Sequence, residues 1–218
     1  MKLNAIALSL AVALATTSVT FAQQNSGTMN SGTTGMVGKE SKSAFDRANK
    51  SGAAAVAAIK PTSAKLSSAD QALMLEVAKG GMMQLETSKI AVQKAQNEEV
   101  RQIAQAEVEE QTGLSNKLKE IADAKGVTLP SSPDADTQSM LTAMQGMSGA
   151  ELDKHYMQEH AVKGHEKLDA TMSKVESSAS DGNLKAVAKA AHPLVKTHLK
   201  VSREVVAKML GNGSSGSR

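Results

Sequence analysis

An all-α fold, with four long helices packed up-down-up-down and a short extra helix in the second-to-third crossover, is predicted by three features of the chain. Apolar residues recur every three or four positions along four stretches of similar length. Capping residues and helix-stopping glycines punctuate those stretches. No run alternates as a half-buried strand requires.

The first residues read as a secretory signal peptide over 1–22. Lys2 gives a positive start, Ala5 to Ala15 an apolar run, and Thr20 and Ala22 the small residues three before and one before a cut. Residues 23–66 follow as a flexible segment rich in Ser, Gly and Ala, within which Ser51 to Lys60 is helical and stopped by Pro61. The folded unit is 67–210, and a Gly/Ser tail, 211–218, is expected to be disordered. No later stretch is apolar enough to span a bilayer.

Within that unit, Ser68 with Gln71 makes a capping box that opens a helix over 68–95, with a stripe of Leu75, Ala78, Met82 and Ile90. Asn97 caps a second over 98–125, carrying Val100, Ala104, Leu114, Leu118 and Ile121 and closed by Gly126. Ser132 and Pro133 begin the short helix near 134–146. Ser148 with Glu151 opens the third long helix over 149–178, whose stripe includes Leu152, Tyr156, Val162, Leu168, Met172 and Val175. Asp181 opens the fourth over 183–210, with Leu184, Val187, Ala191, Leu194, Val201 and Val205, and Gly211 closes it. The tight links at Asn97 and Asp181 make their flanking helices antiparallel neighbours. Pro193 removes a bond to the carbonyl of Lys189, so it either kinks this helix or divides it, leaving His192 exposed.

Composition excludes several functions. There is no cysteine, hence no disulfide framework and no thiolate metal site. Without the single Lys of residues 1–22, 24 basic residues face 22 acidic ones, mixed along the helices, so no nucleic-acid face is expected. Phe45 and Tyr156 are the only aromatics after residue 22, too few to stack on single strands. A nucleophile elbow and a phosphate loop are both missing.

Each long helix carries one polar residue on its apolar stripe: Glu86, Gln111, His165 and His198. They lie 11, 14, 16 and 17 residues from the nearer tight turn, a spread of only ~9 Å at about 1.5 Å rise per residue, so they can meet in one layer or two. Glu86, His165 and His198 would form a two-histidine, one-carboxylate set suited to one Zn or Fe ion, with Gln111 a weak fourth ligand or a partner behind it. The same four residues can also satisfy one another as a buried network that fixes helix register. A di-iron site is disfavoured, since no Glu-x-x-His occurs. Met140, Met144 and Met147 share one face of the short helix, either as core or as a Cu(I) buffer. His155 and His160, about 140° apart on an α-helix, are expected on solvated faces.

The segments Gln84-Leu85-Glu86-Thr87-Ser88, Ile103-Ala104 with Gln111, Leu152-Asp153 with Tyr156 and His165, and His192-Pro193-Leu194 with His198 resemble the exported bacterial family called domain of unknown function 4142. The resemblance covers essentially 67–210. It implies export and a ferritin-like four-helix bundle, and members are commonly labelled outer-membrane proteins. Where members usually have an aromatic-Ala pair and an Asp-His pair, this chain has Ile103-Ala104 and Glu110-Gln111, which takes one imidazole from the layer. The resulting expectation is a periplasmic or outer-membrane-associated, non-enzymatic binding or stress-associated module with an envelope partner. The alternative is a mononuclear metal protein or metal-dependent enzyme built on Glu86, His165 and His198.

Overall fold

The computed structural model of the chain describes residues 35–213, with side chains to residue 211. The expected signal peptide, the first part of the segment after it and the end of the tail lie outside the described residues. Those described form six helices and one small hairpin. The hairpin pairs β1, Met36–Val37, with β2, Glu40–Ser41. Helix α1 spans Lys42–Ala57, α2 Ser68–Lys94, α3 Glu98–Lys125 and α4 Ala135–Gly146. Helix α5 runs through three consecutive stretches, Gly149–His155, Tyr156–Val162 and Lys163–Ser178, and α6 spans Gly182–Gly213. No described helix is long and apolar enough to cross a membrane.

Four long helices lie close to the predicted positions, and their corners explain why. Asn97 accepts from the backbone N–H groups of Glu99 and Val100, while Gly126 ends α3 in the left-handed region at φ 71°. Asp181 accepts from the N–H groups of Asn183 and Leu184 to start α6. Each corner is also tied from across the fold. Asp153 of α5 accepts from Gln96 and Asn97 N–H at the α2–α3 corner, and Asp70 of α2 accepts from Ser180 N–H at the α5–α6 corner. Lys125, wholly buried, donates to Asp181 at 2.7 Å as well as to Thr62 and Ala64.

Several local expectations need correction. Ser67, not Ser68, caps α2 by accepting from Asp70 N–H, and Ser148 precedes α5 without a side-chain cap bond. The segment read as flexible over 23–66 holds, from Met36 on, the hairpin and the 16-residue α1. Carboxylates from two other helices seat the hairpin: Gly38 N–H donates to Glu99 at 2.8 Å and Lys39 N–H to Glu204 at 2.7 Å. Gly38 takes φ 64°, and a Cβ there would fall 2.7 Å from Glu204 Oε2. Helix α6 neither stops at Gly211 nor divides at Pro193, which lies within it. His192 is buried rather than exposed, its ring bracketed by Asp169 and Glu176 of α5 at 2.8 and 2.9 Å.

Tyr156–Val162 is a π-helix. A wider turn brings residues five apart onto neighbouring positions, which overturns the α-helical expectation for His155 and His160. Their rings lie 5.4 Å apart, and His160 is 3% exposed. Burial and the nearby His155 hold the His160 imidazole down to about 4.

The apolar interior divides into two clusters. One gathers Phe45, Ile90, Ile103, Leu152, Tyr156 and Val201 with their neighbours, and the other Met74, Val77, Leu114, Leu168, Met172 and Val195. Met144 is fully buried in the first and Met147 packs against it, so Met144 of the short helix and Met147 just past its end face core. Between the clusters every long helix turns polar or glycine-bearing: Gly81, Gln84, Thr87 and Ser88 on α2, Glu107, Glu110 and Gln111 on α3, Gly164 and His165 on α5, His198 and Ser202 on α6.

Two glycines make room in this layer. A Cβ on Gly81 would meet Gln111 Oε1 at 2.8 Å, and one on Gly164 would meet the Gln84 amide at 2.5 Å. Gln84 cannot swing away freely, because it is buried and donates to the His160 carbonyl. Gly164→Ala is therefore expected to destabilise the fold by about 1–3 kcal/mol, the usual cost of overpacking. Urea unfolding checks this, and a change below about 0.5 kcal/mol would mean that the helices separate freely here.

Candidate metal centre

Glu107, Glu110, His165 and His198 each offer one ligand atom, and the four atoms lie within 4.8 Å of one another. Exposure is 0% for Glu107, His165 and His198 and 8% for Glu110. Glu107 and Glu110 are one turn apart on α3, so both carboxylates rise from one helix face. His165 reaches them from α5 and His198 from α6.

Glu107 is the hub. Its Oε2 lies 2.8 Å from His165 Nε2 and 3.0 Å from His198 Nδ1, while its Oε1 accepts from Gln111 Nε2 at 3.0 Å. Burial alone would raise this carboxyl. The charge of His165 and the hydrogen bonds from both histidines overcome that and hold it well below the usual carboxylate range. Burial likewise opposes charge on His198, but Glu110 and Glu107 push it up to about 10. Burial and the charge of Glu107 raise the Tyr156 phenol, which hydrogen-bonds Ser88 at 2.9 Å.

The outer nitrogen of each histidine is already committed. His165 Nδ1–H donates to the Ala161 carbonyl at 2.8 Å, and His198 Nε2–H donates to Asn49 Oδ1 at 2.6 Å. In the neutral ring this places the lone pair on the inner nitrogen, Nε2 of His165 and Nδ1 of His198. Both lone pairs then face carboxylate oxygens at 2.8–3.0 Å. Lone pairs cannot rest against one another at that distance, so a proton or a cation must lie between them. Glu110 sharpens the point. Its Oε2 is 2.9 Å from His198 Nδ1 but off line, and neither of its buried oxygens makes a hydrogen bond.

Of the four residues the sequence predicts, three come together and one does not. His165 and His198 supply inner nitrogens. Gln111 is fully buried and donates to Glu107 Oε1. Glu86 turns outward and pairs with Lys89 at 2.7 Å on a part-exposed face. The inward face of α2 at this level carries Gln84, Thr87 and Ser88, which a hydropathy stripe drawn through Met82 and Ile90 passes over. The carboxylates that face the two histidines are those of Glu107 and Glu110. Glu107 had a legible signal, since it stands three after Ala104 and four before Gln111, in phase with the α3 stripe.

The chain matches the model of the family described as Domain of unknown function (DUF4142) over residues 55–205, and it belongs to that family. No curated protein and no solved structure matches it.

Proposed function

We propose that this member of the DUF4142 family is an exported, non-enzymatic helical bundle that holds one divalent first-row metal ion on Glu107, Glu110, His165 and His198. The observation that carries the reading is the orientation of the two imidazoles. Histidines that ligate a metal almost always donate their other N–H to a carbonyl or carboxylate, which fixes the tautomer. His165 does so to Ala161 and His198 to Asn49. Two carboxylate oxygens and two imidazole nitrogens suit Zn or Fe(II), whereas Cu(I) prefers sulfur. Ligands about 2.1 Å from an ion stand about 3.0 Å apart at a right angle and about 3.4 Å apart in the tetrahedron Zn prefers, so the 2.8–3.0 Å contacts around Glu107 would open by a few tenths of an ångström to take Zn. The burial of all four donors favours retaining an ion over turning over a substrate.

Export is supported by the charged, apolar and small-residue pattern of residues 1–22. The corner ties through Asp70 and Asp153 support an up-down-up-down order for α2, α3, α5 and α6.

The test is metal analysis of the mature protein, purified without a histidine tag from its export compartment, beside the His165→Ala/His198→Ala variant. Near-stoichiometric Zn or Fe in the parent and none in the variant is the expected result. A folded parent that is empty, and stays empty on titration, would sink the proposal and leave the layer as a register-fixing network held by protons.

A further inference from the structure

Helix α1 crosses the proposed metal centre and buries few side chains of its own there. Of its 16 residues only Phe45 and Val56 are buried. Phe45 lays its ring 5.4 Å from that of His198, and one turn on, Asn49 accepts the His198 Nε2–H at 2.6 Å. On the other side of Asn49, between α1 and α3, opens a cleft of about 510 Å³ whose walls include Lys42, Asp46, Gln105 and Glu109. Asn49 thus touches both this cleft and a ligand of the proposed ion. It also lies before the stretch that matches the family, which begins at residue 55.

Resting on the metal reading above, we infer that Asn49 is a positioning residue that governs metal exchange, the ion entering and leaving from the cleft between α1 and α3. Two physical effects combine in it. Accepting from Nε2–H keeps the His198 lone pair on Nδ1, aimed at Glu107 and Glu110. Standing in the wall of the cleft, the amide also separates bulk water from that imidazole, and a helix with so few buried side chains opens at lower cost than the long helices behind it.

The experiment uses the full mature chain loaded with Zn(II), comparing the parent with Asn49→Ala and Asn49→Asp. Zinc affinity is measured by competition, and release by stopped-flow mixing with excess chromophoric chelator. Asn49→Ala is expected to weaken affinity about 10–100-fold, the usual effect of losing such a partner, mainly through faster release. Asn49→Asp, which restores an acceptor and strengthens it with charge, is expected to bind at least as tightly as the parent. A merely structural role would lower thermal stability in both variants without separating their release rates. If Asn49→Ala holds one equivalent of zinc and releases it within about twofold of the parent rate, the inference is overturned while the metal reading stands. If the parent itself binds no zinc, both fall.

Discussion

Glu107→Ala is expected to abolish metal binding and to cost the metal-free protein about 3–5 kcal/mol, the penalty for breaking a buried charge pair by removing one partner. The carboxylate is wholly buried and meets His165 and His198 through one oxygen and Gln111 through the other. Its loss strands all three. His198, held charged by Glu110 and Glu107, would keep only Glu110 of its two carboxylates, while its Nε2–H stays on Asn49. Glu110→Ala provides the contrast, because Glu110 faces His198 alone whereas Glu107 meets three side chains, so removing Glu110 strands less of the layer. A smaller loss of stability is expected there, together with a large loss of zinc affinity. Urea unfolding in the presence of a chelator and zinc competition measure the two effects separately. Tight zinc binding retained by Glu107→Ala would remove the carboxylate from the ligand set. A stability loss below about 1 kcal/mol would mean that the layer is hydrated and its charges already screened.

What could be read from sequence and what could not divides along physical lines. Helix boundaries were legible wherever a cap is local, as with Asn97, Asp181 and Gly126, because the deciding hydrogen bonds lie within four residues. The N-terminal hairpin and the first half of α1, before the Ala-rich end that reads as helix from Ser51, were not. Their anchors are Glu99 and Glu204, some 61 and 165 residues away, and a Ser- and Ala-rich stretch does not announce such partners. The π-turn was equally hidden. One inserted residue changes which side chains share a face, so His160 moved from an expected solvated position to a buried one beside His155. At the centre, His165 and His198 were found because each interrupts a clean apolar stripe. Glu107 was not, because Glu109, Glu110 and Gln111 crowd it, and a charged run usually reads as a solvated face. The feature that separates them is phase alone: Glu109 is exposed, while Glu107, Glu110 and Gln111 follow the buried face.

Zinc affinity is expected to strengthen roughly tenfold per pH unit between about pH 6.5 and 8.5, close to 100-fold in all, because binding at His198 Nδ1 must displace a proton. In the metal-free fold that proton is held up to about 10, by Glu110 and Glu107 against the cost of burial. The stability it brings runs the other way. A histidine raised from 6.5 to about 10 contributes fully below 6.5, and the contribution is lost as pH rises through 10. Glu107, lowered from 4.5, contributes fully above 4.5 and loses that contribution as pH falls toward its folded value. The metal-free layer therefore stabilises the fold most between about 4.5 and 6.5. Above that window the proposed ion would replace a weakening proton bridge, and the gap in melting temperature between zinc-loaded and chelator-treated protein should widen with pH. Competition titrations at three pH values test the slope directly. A flat affinity profile would mean that no proton leaves His198, and hence that the ion does not sit on Nδ1.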